Sequence, residues 1–196
     1  MTKINFITSN KGKIKALETS FALFGVNADV VAQNLDIVEP QLDNVADVSR
    51  HKALEAFKIL GEPVLVEDGG MCVEALNGFP GVYTKYAQTT IGAEGIVKLM
   101  VGKENRNAKF VSVATYINDK GEIFQFEREG GEWLVPEKVV DVTSPFAWSE
   151  FWKIIYFKEY NKTLAEFSKE ELDVYFNESG KNGSIQKFAK WCIANI

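Results

Sequence analysis

Along Lys3–Thr8 (KINFIT) hydrophobic and polar positions alternate among β-formers, which predicts a strand. After a polar break at Ser9-Asn10, apolar residues recur at Ile14, Leu17, Phe21 and Phe24, one face of a helix from about Gly12 to Phe24. A second strand is expected near Ala28–Ala32, followed by an acidic loop around Glu39-Pro40-Gln41. Asn44–Leu60 predicts another helix, with Ala46, Ala53, Phe57 and Leu60 on one face. Pro63-Val64-Leu65-Val66 is apolar throughout, as a strand covered on both faces would be. The glycines between Gly69 and Gly81 predict turns. Lys109–Ile117 and Glu122–Glu127, joined by Asn118-Asp119-Lys120-Gly121, predict a hairpin. Ser168 and Glu171 have capping-box spacing and start a helix. Ile185, Phe188, Ala189, Cys192 and Ile193 stripe the last helix. Early strand–helix alternation with a central hairpin implies an α/β fold with a mixed sheet.

The chain has 196 residues, 46% hydrophobic and 25% charged, enough for one domain or two lobes sharing a core. Its formal charge of -5 argues against a nucleic-acid binder. No run reaches the ~18–20 apolar residues that cross a bilayer, and no signal-peptide pattern opens the chain. A cytoplasmic protein without membrane association is the expectation. Cys72 and Cys192 sit in no ligand spacing, so neither a disulfide framework nor a zinc site is expected. The single histidine, His51, lies in a polar helical stretch and reads as structural. Nucleophile-elbow, P-loop and dinucleotide-binding glycine motifs are all absent from the sequence. If the protein is an enzyme, carboxylates and lysines must do the work.

Those groups concentrate in a few segments. In Thr8-Ser9-Asn10-Lys11-Gly12-Lys13 lysines crowd a helix N-terminus, where the macrodipole is already positive. Either an anion such as phosphate resolves that conflict, or the lysines point into water and Asn10 is only a cap. Glu67-Asp68-Gly69-Gly70 follows the buried strand. It suits Mg²⁺ beside a phosphate loop, or is an ordinary acidic turn. Glu39 and Lys52 matter only if folding brings them to the same place. Lys85 is a further cation beyond the Gly-Phe-Pro-Gly turn at 78–81.

Two stretches carry a resemblance: Thr8-x-Asn10-x-x-Lys13, and Val66-Glu67-Asp68-Gly69-Gly70-Met71 running on through Gly78-x-Pro80-Gly81-x-Tyr83. In these motifs, their order, the chain length and the position of Glu39 before Lys52, the sequence resembles the inosine triphosphate pyrophosphatase family, which removes non-standard purine nucleotides. The resemblance implies an α/β fold with an elongated mixed sheet flanked by helices, two lobes with a central substrate cleft, and a homodimer. It also implies Mg²⁺-dependent hydrolysis of a nucleoside triphosphate to the monophosphate and pyrophosphate. Carried onto this chain, Thr8, Ser9, Asn10, Lys11 and Lys13 would hold the triphosphate, with Lys52, Gly69 and Lys85 beside it. Glu39, Glu67 and Asp68 would bind Mg²⁺, with Asp68 accepting the proton of the attacking water and Glu67 and Lys13 sharing in catalysis. Phosphoryl transfer runs on positioning and charge stabilisation, so such a set suffices without histidine.

The C-terminal half departs from that pattern. The family's Phe-Gly-Tyr/Trp-Asp-Pro-x-Phe segment appears as Phe146-Ala147-Trp148-Ser149-Glu150-Phe151-Trp152, without the aspartate and proline. Leu172 stands where a lysine is expected, and the Ser-His-Arg motif is matched by Ser179-Gly180-Lys181. In the family these parts enclose the purine, so base selection is expected to be altered. Phe146 and Trp148 either stack on the base or belong to the core, with Ser149 and Lys181 as the remaining candidate contacts. The alternatives are a non-catalytic nucleotide-binding relative and a pyrophosphatase for modified pyrimidine nucleotides.

Overall fold

The computed structural model describes the backbone of residues 2–180 and 182–196, and the side chains of 2–176 and 182–196. Two compact units divide the chain: unit 1 (Met1–Gly69, Ser112–Arg128, Lys181–Ile196) and unit 2 (Gly70–Val111, Glu129–Gly180).

Unit 1 begins with β1 (Thr2–Ile7), α1 (Lys11–Phe24), β2 (Ala28–Gln33), α2 (Val45–Leu60) and β3 (Val64–Val73), whose first half lies here. β1 pairs in parallel with β2 (Thr2↔Ala28 to Ile7↔Gln33) and with β3 (Asn5↔Val64, Phe6↔Leu65). The sheet continues with β5 (Asn107–Ile117) and β6 (Ile123–Leu134), in the order β2-β1-β3-β5-β6. The last helix, α6 (Ser184–Asn195), closes the unit.

Side-chain alternation along each strand feeds two separate cores. Ile4, Phe6, Leu65, Ala114 and Tyr116 meet Leu17 and Phe21 of α1 and Phe188 of α6 on one face. Ile7, Val64, Val66 and Ile117 meet Ala53 and Ala56 of α2 on the other. The expected strand buried on both faces is therefore real, since Val64, Leu65 and Val66 have no exposed surface. Asn5, fully buried, donates to Pro63 O at 3.0 Å and Glu62 Oε2 at 3.0 Å and accepts from Gln33 Nε2 at 2.6 Å. Each of its polar atoms thus binds a neighbouring strand or the residues leading into one, which satisfies the buried amide and fixes the pairing.

Several expectations need correction. No turn follows Glu67-Asp68; β3 runs straight through Gly69-Gly70 to Val73. The buried face of α2 is centred on Val45, Val48, Ser49, Ala53 and Ala56, so Ala46 falls at its edge. On α6, Ile185, Phe188, Ala189 and Cys192 are buried while Ile193 is exposed, because it lies roughly 80° around the helix from Ile185.

Unit 2 holds the second half of β3 with β4 (Pro80–Gly81) antiparallel to it, α3 (Thr84–Thr90) and α4 (Gly92–Leu99). The outer parts of β5 and β6, β7 (Tyr156–Phe157), β8 (Lys162–Thr163) and α5 (Lys169–Gly180) complete it. Ser168 and Glu171 form the expected capping box ahead of α5: Glu171 N–H donates to Ser168 Oγ at 3.2 Å and Ser168 N–H to Glu171 Oε2 at 2.8 Å. A Cβ at Gly70 would lie 2.2 Å from Gly81 O, so only glycine lets β4 approach β3 there. Leu172 is core, packed with Met71, Trp152 and Phe157.

Candidate functional site

The candidate residues of unit 1 gather at the ends of β1 and β3's unit 1 half and the first turn of α1. Asn10 is the N-cap of α1: its Oδ1 accepts from Gly12 N–H at 2.8 Å and Lys13 N–H at 3.4 Å. Asn10 N–H donates in turn to Thr8 Oγ1 at 3.1 Å. The cap thus occupies two of the N–H groups at the start of α1. Ser9 and Lys11 are exposed beside it.

Lys13 does not point into water. Its Nζ lies 2.8 Å from Glu67 Oε2 and donates to Glu67 O at 2.6 Å. One residue on, Lys52 of α2 reaches Asp68 Oδ2 at 3.0 Å and donates to Glu39 Oε1 at 2.7 Å. The two adjacent acids thus serve opposite faces of the sheet, as successive side chains of a strand must. Glu67 faces α1 and α6; Asp68 faces α2. Gly69 follows, exposed.

Burial dominates the Glu67 carboxyl and pushes its pKa above the usual carboxylate value, against the opposing pull of Lys13; the neighbouring Asp68 charge adds to the rise. Burial also pulls down on the Lys52 ammonium, but the charges and hydrogen bonds of Asp68 and Glu39 outweigh it and leave its pKa above the ordinary lysine value. Asp68 Oδ2 faces the Lys52 ammonium at 3.0 Å and, buried, meets no other donor. Among the described residues no three His, Cys, Asp or Glu side chains cluster as a ready metal cage. What the acids offer is oxygen alone, the donor set of a hard cation that keeps part of its water shell, and Asp68 Oδ2 has an unshared face to give it.

Unit 2 carries the other candidates. Lys85 is exposed in the first turn of α3. Trp148 is 69% exposed, with its ring 4.5 Å from Trp152 and 5.2 Å from Phe176, and Phe146 is exposed too. Neither ring is core. Ser149 Oγ donates to Gln88 Oε1 at 2.6 Å and accepts from Phe151 N–H at 3.2 Å. Lys181 lies outside the described residues.

One neighbour went unseen in the sequence: Ser184, buried in the first turn of α6, opposes the rise in the Glu67 pKa and accepts from Ser112 Oγ at 3.1 Å. A serine just ahead of the Ile185 stripe was the available signal.

The family model described as the Ham1 family matches residues 4–188. A protein of Methanopyrus kandleri named dITP/XTP pyrophosphatase is 33% identical over 99% of this chain and 98% of its own length. One of the same name from Pyrococcus horikoshii is 33% identical over the same shares of the two chains. Among solved structures, a HAM1 protein from Coxiella burnetii superposes with a TM-score of 0.81 over 97% of this chain and 98% of its own, at 19% identity. The last of these speaks for the fold, which is the α/β arrangement expected from the sequence. No described helix is long and apolar enough to cross a membrane.

Proposed function

Because the chain belongs to the Ham1 family, we infer that the lysines and carboxylates of unit 1 are the phosphate- and metal-handling groups of a nucleoside triphosphate pyrophosphatase. Its relatives' names, dITP/XTP pyrophosphatase, support hydrolysis of a (deoxy)nucleoside triphosphate to the monophosphate and pyrophosphate. The observation that carries the reading is the pairing of Lys13 with Glu67 and of Lys52 with both Glu39 and Asp68. Such pairs store ammonium groups in place for an anionic chain, and offset part of the cost of burying the acids.

Glu39, Glu67 and Asp68 would hold Mg²⁺, which when bound neutralises phosphate charge and makes water a better nucleophile. Lys13, with Thr8, Ser9, Asn10 and Lys11 around it, binds the triphosphate, and Lys52 turns from its carboxylates toward phosphoryl oxygen. Asp68 takes the proton of the attacking water as a new bond forms to the α-phosphorus. The bond from that phosphorus to the bridging oxygen breaks, and pyrophosphate leaves with the electron pair. Gly69, Lys85, Ser149 and Lys181 are the remaining substrate contacts of the proposal, and the exposed rings of Phe146 and Trp148 supply stacking surface for a base. One α/β domain of two lobes, a homodimer and a cytoplasmic location belong to the same proposal.

The test is pyrophosphate release from ITP, XTP, dITP, dUTP and the standard dNTPs, with and without Mg²⁺. Wild type should turn over at least one non-standard purine triphosphate only with the metal, and Asp68→Asn should lose that activity while melting as a folded protein. Binding without product from every nucleotide would overturn the reading in favour of a non-catalytic relative.

A further inference from the structure

At the other end of the unit 1 strands lies a cavity of about 500 Å³ that the proposed chemistry does not use. Lys3 of β1, Pro63 ahead of β3, the 118–120 turn and the end of α6 line it. Glu67 lies four residues beyond Pro63, roughly 13 Å of strand at ~3.3 Å per residue, so the carboxylate site is elsewhere. Tyr116 of β5, 2% exposed, lines the cavity from within the core. Its ring is enclosed by Phe124, Phe188 and Trp191, which leaves the hydroxyl as the group it presents there. That hydroxyl has no hydrogen-bond partner among the described residues. Burial above all pushes the phenol pKa up to about 12, so the group stays a neutral donor at physiological pH. Buried hydroxyls are ordinarily paired, and this one lacks an acceptor.

Two further features say what kind of molecule carries that acceptor. The half-buried indole of Trp191, anchored on Phe124 with ring centroids 4.6 Å apart, lines the same cavity and gives it an aromatic wall. The charged side chains of the wall cancel: Lys3 pairs with Glu62 at 2.6 Å, and Asp119 and Lys120 add one charge of each sign. A strongly charged ligand finds no net opposite charge there, and a benzenoid ring would leave the Tyr116 hydroxyl unpaired. We propose that the cavity binds a neutral planar heteroaromatic ring, the chemistry shared by free nucleobases and nucleosides. The ring lies against Trp191, and a ring nitrogen or carbonyl accepts from Tyr116. A nucleoside brings sugar hydroxyls to Asp119 and Lys120 as well. The proposal stands whether or not unit 1 hydrolyses triphosphates.

The experiment is equilibrium dialysis of the full chain against hypoxanthine and inosine, without metal or triphosphate, with benzyl alcohol as the neutral benzenoid control. At least one heteroaromatic probe should bind, and benzyl alcohol should not. Tyr116→Phe removes one neutral hydrogen bond and keeps the ring, so it should raise the dissociation constant by about 3- to 10-fold. Asp119→Ala weakening inosine alone marks the nucleoside as the ligand; Asp119→Ala leaving both probes unchanged marks the free base. Trp148→Ala, at the exposed ring surface of unit 2, should change neither. Absence of binding at millimolar concentration, equal affinity for benzyl alcohol, unchanged affinity in Tyr116→Phe, or a loss in Trp148→Ala overturns the inference. Should Tyr116→Phe not fold, wild type decides: the probe must shift the indole N–H resonance of Trp191, and an unmoved signal overturns the inference equally.

Discussion

Replacing Asn10 by aspartate separates stability from substrate handling with opposite signs. Asn10 Oδ1 accepts from the N–H groups of Gly12 and Lys13, and a carboxylate oxygen can keep both bonds, so the cap survives. The added charge sits at the positive end of α1, whose first turn holds Lys11 and Lys13 and no acid. Such a charge stabilises by about 0.3–1 kcal/mol, a rise of about 1–4 °C in Tm for a chain of this size. A triphosphate drawn to Lys13 meets the same charge as repulsion. At ~6 Å two unit charges repel by ~0.7 kcal/mol in bulk water and ~2.8 kcal/mol at an effective permittivity of ~20, so kcat/KM should fall by about 3- to 100-fold. The loss should shrink in ~1 M salt, where the screening length drops to ~3 Å, and Asn10→Ser, a neutral cap, should show neither effect. The assays are thermal melts and pyrophosphate release at low and high salt. A variant that melts higher yet hydrolyses its best nucleotide as fast as wild type at low salt would refute the phosphate role of this helix end.

Glu67→Gln should raise Tm at pH 7.5 while abolishing turnover. The raised folded-state pKa means that the fold favours the protonated group. Its favourable contribution is complete below the ordinary value of 4.5 and is lost as pH rises through the raised one, so the gain from the neutral amide should vanish toward pH 4.5. Melting curves across that range check the sign, and a lower Tm for Glu67→Gln at pH 7.5 would contradict it. Gly70→Ala should destabilise by at least about 1–3 kcal/mol, because the new methyl must displace the Gly81 carbonyl of β4. Urea unfolding with an unchanged midpoint would show that β4 gives way freely.

Periodicity reached the elements that frame the site. The stripes of α1 and α6 and the apolar run of β3 are local signals, and each reports the side chains that face a core. The continuation of β3 past Asp68 was hidden because glycine pairs signal turns in isolation, whereas here Gly70 serves the close approach of β4 from eleven residues downstream. Short pieces such as β7 and β8, two residues each, carry no period to read. For the site, residue types were legible but partners were not. That Lys52 bridges Glu39 and Asp68 depends on α2 packing over one face and on strand alternation separating Asp68 from Glu67. That Ser184 of α6 meets Ser112 of β5 likewise depends on packing between segments distant in sequence.

The Asn5 amide, tied at once to Gln33, Glu62 and Pro63, gives the middle of the sheet a single permitted alignment. Were β3 to slide along β1 by one residue, every side chain on it would change sides. The acid meant for Lys13 would then confront α2, and its neighbour would be offered to the wrong ammonium. A buried asparagine that touches no phosphate thereby decides which carboxylate answers to which helix. Damage at that position would silence the chemistry of a chain that still looks folded.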